Sequence, residues 1–270
     1  MFRDRAVEIK TPEQIALMRR AGLVVAESLS VVKSAVAPGV TTKELDSLAE
    51  EYIRSCGATP NFLGYHGFPA TICASVNEEV VHGIPSERVL EEGDLVSLDC
   101  GAIVEGWHGD AAITVAVGEV ADDLVKLMRV CEESLWRGLA AARLGGRVSD
   151  ISAAVEGHVR TNGDYGIVED YVGHGIGSAM HMYPSVPNYG RPGKGPKLVE
   201  GMALAIEPMI TMGTIETHVL SDDWTVVTAD GSWSAHFEHS FTLTKQGALV
   251  LTAPDGGAAK LAELGAPCAA

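Results

Sequence analysis

Two short runs decide how this chain folds: Asp94-Leu95-Val96-Ser97-Leu98-Asp99-Cys100-Gly101 and Gly109-Asp110-Ala111-Ala112-Ile113-Thr114-Val115-Ala116-Val117. In the first, Val96, Leu98 and Cys100 alternate with Ser97 and Asp99. In the second, Ile113, Val115 and Val117 alternate with Asp110, Ala112 and Thr114. Period two means a strand with one packed face and one polar or small face. A turn near Val104-Glu105-Gly106 joins them as a hairpin. If it centres between Val104 and Glu105, Asp99 and Asp110 face each other. If it centres on Glu105-Gly106, they are diagonal neighbours. In both cases two like charges share one face and need a cation, unless one carboxyl stays protonated.

Upstream of the hairpin, Thr11-Pro12-Glu13-Gln14 reads as a capped helix start, and Ile15, Met18, Gly22, Val25, Leu29, Val32 and Val36 keep a helical period until Pro38-Gly39. Thr41 to Glu44 offers a second capping box, with Leu45, Leu48, Tyr52 and Ile53 on one face before Gly57. Downstream the plan recurs. Leu124, Leu127, Met128, Cys131, Leu135 and Leu139 mark a long helix, Gly145-Gly146 breaks it, and Ile151, Val155 and Val159 mark a shorter one. A third strand alternates Phe237, Phe241 and Leu243 with His236, Glu238, Ser240 and Thr242. The class is α/β in the α+β sense, with two related halves packed as one domain over residues 1–252. The Ala- and Gly-rich segment 253–270 is expected to be poorly ordered at its end.

The chain has 270 residues and a net charge of −16, which argues against nucleic acid as the main partner. Its five cysteines are scattered with no C-x-x-C pair, against a zinc ribbon or a disulfide framework. Met1 to Lys10 has no apolar core of signal-peptide length, and no run is long enough to span a membrane, so a soluble cytoplasmic protein is expected.

The charge has a location. Val89 to Val125 holds nine acids and no Lys or Arg, Leu198 to Thr244 holds seven and none, and the remainder balances. Asp99 and Asp110 lie in the first stretch, Glu207 and Glu238 in the second. With no base nearby in sequence, a divalent metal is the economical counter-charge. His174 stands among glycines in Gly173-His174-Gly175-Ile176-Gly177, where backbone can approach closely. Glu207 ends an apolar strand stopped by Pro208. Four carboxylates and one imidazole favour manganese, iron, cobalt or magnesium over a structural zinc. Such a set can hold two ions about 4 Å apart, an arrangement suited to hydrolysis.

These segments, together with Asn77-Glu78-Glu79-Val80-Val81-His82-Gly83-Ile84-Pro85, Trp107-His108-Gly109-Asp110, Ala205-Ile206-Glu207-Pro208-Met209 and Phe237-Glu238-His239-Ser240, resemble the type I methionine aminopeptidases, an M24 metallopeptidase family. The resemblance runs over about residues 5–250 in order. It implies the pita-bread fold, with two pseudo-symmetric halves around a dinuclear centre held by Asp99, Asp110, His174, Glu207 and Glu238. It implies removal of the initiator Met, by a metal-bound hydroxide, from nascent chains whose second residue is small. Two divalent ions (cobalt, manganese or iron) would be the cofactors. Glu207 would also carry a proton from the attacking water to the leaving amine. His181 would contact the scissile carbonyl, and His82 the substrate backbone. The family's pocket positions fall on Phe62, Tyr65, His66, Phe68, Cys73, Met180 and Trp224. Phe62 replaces what is often a small residue, Met180 what is often Phe, and Met182-Tyr183 acids found in some members. A monomer acting close to the ribosome is the family expectation.

The spacing from Glu207 to Glu238 leaves no room for the helical insertion of type II enzymes, and no zinc-finger extension precedes residue 10, so the chain resembles a short bacterial form. Two other readings compete. Proline-directed peptidases of the same fold usually carry a large N-terminal domain ahead of the metal-binding half, whereas here the first candidate ligand is already Asp99. Non-catalytic relatives lose metal ligands, and here all five positions keep ligating side chains.

Overall fold

The computed structural model describes residues 6–269; the first five residues of the Met1–Lys10 segment and Ala270 lie outside them. Helix α1 spans Pro12–Ala35 and α2 spans Thr42–Ser55. Both begin with the capping boxes read from sequence, Thr11 with Gln14 and Thr41 with Glu44, which satisfy backbone N–H groups that a helix start leaves free. Helices α3, Asp122–Ala141, and α4, Val148–Asn162, open the second half on the same plan.

The central hairpin pairs strand Leu95–Val104 with Trp107–Ala116. Its two-residue turn is Glu105-Gly106, both at positive φ (50° and 83°), the mirror-image turn that matches strand twist. The register follows: Asp99 faces Ala112 and Gly101 faces Asp110, so the two acids are diagonal. Strand Ile72–Val76 adds to the outer side, placing Cys73 opposite Asp99. On the inner side strand Glu238–Thr244 places Glu238 opposite Ala112. Strand Ala203–Ile206 follows, then Gly173–Gly175 and Met182–Val186, every pair antiparallel.

Helices cover one face of this curled sheet. Val25, Leu29, Leu45 and Ile53 of α1 and α2 pack on Val96, Leu98 and Cys100. Leu127, Leu135, Leu139, Ile151 and Val155 of α3 and α4 pack on Leu204, Ile206 and Phe241. Each such side chain taken fully out of water contributes about 1.5–3 kcal/mol before chain entropy is counted. Because strand side chains alternate, burying these residues turns Ser97, Asp99, Asp110, Thr114 and Glu238 together onto the opposite face. The helix layer sits close. A Cβ on Gly22 of α1 would lie 2.2 Å from the Leu251 carbonyl oxygen, and one on Gly109 would lie 2.7 Å from the Gly22 nitrogen.

The Ala- and Gly-rich segment, expected to be poorly ordered at its end, is packed over its described residues, and Ala270 lies outside them. The tail forms helix α5, Ala258–Glu263, and Leu261 is fully buried in the second core. Cys268 bridges in parallel to Ala248. The Arg19 guanidinium donates to the carbonyls of Val250, Leu251, Ala253 and Pro254. Small residues there allow close packing, so an Ala/Gly-rich composition did not mean disorder.

Candidate metal centre

The hairpin supplies Asp99 and Asp110, the strand after it Glu238, the short strand Gly173–Gly175 supplies His174, and Glu207 follows strand Ala203–Ile206, released from the ladder by Pro208. All five line one cavity. Ligand atoms of Asp110, His174 and Glu238 lie within 4.8 Å of one another, as do those of Glu207, His236 and Glu238. Asp99 belongs to neither triplet but borders the same cavity.

Two imidazoles face Glu207: His174 Nε2 stands 3.5 Å from Oε1, and His236 Nε2 stands 3.9 Å from Oε2. Among the described residues, Asp99 Oδ1, Asp110 Oδ1, Glu238 Oε1 and His236 Nε2 are buried without a hydrogen-bond partner. Buried carboxylates without partners are costly, and the protein answers by holding protons. Burial pushes Asp99 up to about 7, against a backbone bond from Cys100. Burial, then the Asp99 charge, raises Glu207 to about 8. Asp110 and Glu238 rise well above the ordinary range through burial and then the neighbouring acids. Burial lowers His174 to about 3, leaving a neutral ring free to ligate; its Nδ1 lies 3.0 Å from the Gly175 carbonyl oxygen, which fixes the tautomer that presents Nε2. Orphaned carboxylate oxygens, a neutral imidazole and no thiolate fit divalent metal, with hard cations preferred.

Beside the acids the cavity has an apolar wall. Phe62, Phe68, Cys73 and Met180 are buried in one cluster, with Tyr65 and Trp224 packed against it. Phe68 and Trp224 meet edge to face at 5.1 Å. His82 and His181 border the same space, and the Tyr65 hydroxyl lies 2.9 Å from His181 Nδ1. One expected pocket residue is not there. His66 takes a left-handed backbone (φ 48°), is exposed, meets Tyr65 edge to face at 4.4 Å, and does not line the cavity. Two residues went unnoticed as part of the site. Val81 adds to the wall and carries no signal beyond being apolar. His236 ends the short strand Ser234–His236, two residues before Glu238 opens the next, a spacing that could have drawn attention to it.

The model of metallopeptidase family M24 matches residues 16–245. The chain is 54% identical over 245 residues to a methionine aminopeptidase of Clostridium acetobutylicum, covering 90% of this chain and 98% of the relative. It is 51% identical over 254 residues to methionine aminopeptidase 1 of Mycobacterium tuberculosis, covering 92% and 96%. The crystal structure of the methionine aminopeptidase of Thermotoga maritima superposes with a TM-score of 0.90 at 43% identity, over 92% of this chain and 99% of that one. The prolidase of Pyrococcus furiosus, at 23% identity, TM-score 0.71 and coverage of 65% of its length, shares the pita-bread fold alone. With the match spanning both halves, the chain belongs to metallopeptidase family M24 and groups there with the methionine aminopeptidases.

Proposed function

We propose that this chain removes an N-terminal Met hydrolytically from polypeptides whose second residue is small. The carrying observation is the contiguity of five metal-ligating side chains with one apolar slot in a single cavity. Four carboxylates and one imidazole around one cavity support two divalent ions, with manganese, iron and cobalt as candidates. When bound, such ions supply a nucleophilic water at neutral pH and polarise the carbonyl.

The chain's own groups do the rest. The slot formed by Phe62, Tyr65, Phe68, Cys73, Met180 and Trp224 takes the Met side chain and excludes water beside the scissile bond. Glu207 accepts the proton of the attacking water and returns it to the leaving amine. The Tyr65 hydroxyl at 2.9 Å from His181 Nδ1 suits the tautomer with the ring proton on Nε2, where it meets negative charge developing on the carbonyl oxygen. His82, kept neutral by burial that lowers it to about 4, offers a donor to the peptide backbone. The substrates are the N-termini of nascent chains, which places the enzyme in the cytoplasm near their source. One chain holds the complete site, so a monomer suffices. No helix among the described residues is long and apolar enough to cross a membrane.

The test is cleavage of Met-Ala-Ser after reconstitution with manganese, iron or cobalt, beside a Pro-containing dipeptide panel. Met is released, and His181→Ala or Glu207→Ala lowers kcat at least about 100-fold. An intact Met-Ala-Ser with all three metals, or an unchanged kcat in His181→Ala, defeats the reading.

A further inference from the structure

We infer that His236 is a positioning residue of this centre, holding Glu207 from behind through its Nε2 so that the carboxylate keeps one oxygen turned to the cavity. The inference rests on the metal-centre reading above.

Three observations converge on this residue. His236 is 1% exposed and does not border the cavity, whereas Glu207 and Glu238 do. Its Nε2 has no hydrogen-bond partner, and it stands 3.9 Å from Glu207 Oε2. A movement of about 1 Å by the carboxylate would bring the pair to bonding distance. The other Glu207 oxygen, Oε1, faces His174 Nε2 at 3.5 Å. Glu207 is thus bracketed by two imidazoles, one on each oxygen. His174 stands on the cavity side, and His236 stands behind.

The backbone of His236 is fixed by the same sheet face that carries the acids. Its N–H donates to Thr114 Oγ1 at 2.9 Å, and Thr114 Oγ1 donates to its carbonyl oxygen at 2.9 Å. Ser97 Oγ lies 2.9 Å from Thr114 Oγ1. Ser97 is two residues from Asp99, Thr114 four from Asp110, and His236 two from Glu238. One polar row therefore ties the strands that bear three acids to the imidazole behind the fourth. A carboxylate asked both to ligate and to carry a proton needs its orientation fixed, and a donor behind the non-ligating oxygen does this. Outer partners of this kind typically change metal affinity 10–100-fold.

The experiment compares His236→Gln, which keeps an N–H donor of similar reach, with His236→Leu, which keeps volume and removes the donor. Both are read in the full chain by circular dichroism, by calorimetric titration with Mn2+, and by kcat and KM on Met-Ala-Ser. His236→Leu is expected to bind Mn2+ about 10-fold or more weakly and to lose kcat with KM little changed, while His236→Gln recovers most of both. Equal Mn2+ affinity in wild type and His236→Leu overturns the inference, and so does a His236→Gln as impaired as His236→Leu. If His236→Leu does not fold, the folded His236→Gln decides against His236→Asn, whose donor is too short to reach Glu207. Equal affinity in those two overturns the inference. A wild-type chain that binds Mn2+ without cleaving the peptide defeats the aminopeptidase reading instead, and the Mn2+ titrations still judge His236.

Discussion

Ala112 stands directly opposite Asp99, and on its other side the same residue stands opposite Glu238. A methyl group thus separates two carboxylates in a row that runs from Cys73 across four strands. Asp110 lies diagonally from Asp99 and faces Gly101, another residue without bulk. Small residues opposite acids leave the space between the carboxylates for a cation.

Ala112→Val should fill that space. Ala112 is 1% exposed, and added methyl groups in packed surroundings typically cost about 1–3 kcal/mol. If that cost falls on the bound state, Mn2+ affinity drops about 10–100-fold while the chelated protein melts near its usual temperature. A variant that binds Mn2+ as wild type does would show that the acids do not converge over Ala112.

Chelation should destabilise the protein. Each site saturated at about 100 times its dissociation constant stabilises the native state by about 2.7 kcal/mol. For a chain of this size that is about 5 °C or more in melting temperature per site. Calorimetry with a chelator and then with restored Mn2+ measures it. A melting temperature unmoved by both steps would remove the metal from the account of stability.

The metal-free protein should lose stability as pH rises. Asp99 goes up to about 7 and Glu207 to about 8, against ordinary carboxylate values of 3.8 and 4.5. Between those limits the native state holds protons that the unfolded chain has released. The slope of unfolding free energy against pH is therefore negative, up to about 1.4 kcal/mol per pH unit for each retained proton. Stability from these groups is complete below about pH 4 and gone above about pH 8. Bound metal displaces the protons, so the loaded protein should lack this slope and bind metal more tightly as pH rises. Urea unfolding of the chelated protein from pH 5 to 8 decides it, and a midpoint that climbs with pH would contradict the site's electrostatics.

Much of this was legible in the chain because period-two alternation assigns faces directly. Asp99, Asp110 and Glu238 had to share a face once Val96, Leu98 and Phe241 were assigned to the core. The capping boxes at Thr11 and Thr41 are local chemistry and were readable for the same reason. The hairpin register was left open between two turns, since it depends on which two residues take positive φ. That choice fell on Glu105-Gly106, where Gly106 accepts that backbone without strain. His66 was misplaced because pocket contact depends on the turn at Tyr65–Gly67, which points Tyr65 inward and its neighbour outward. The packing of the tail was not legible because the groove that receives Leu261 is built by distant parts of the chain.

Met180 offers a test of the slot. It is 3% exposed and packs with Phe62, Phe68 and Cys73, and it precedes His181 directly. A larger slot loses contacts to a Met side chain and gains room for bulkier ones. Removing a few methylenes from a binding slot changes discrimination by about 1–3 kcal/mol, or about 10–200-fold. Met180→Ala should therefore raise KM for Met-Ala-Ser and narrow the preference for Met over Phe at the first position. The roles proposed for His181 and Glu207 do not involve this side chain, so kcat on Met-Ala-Ser should stay within a few-fold of wild type. A collapse of kcat with unchanged KM would mean that Met180 acts by holding His181 in place, and the assignment of the apolar wall as the Met slot would then fail.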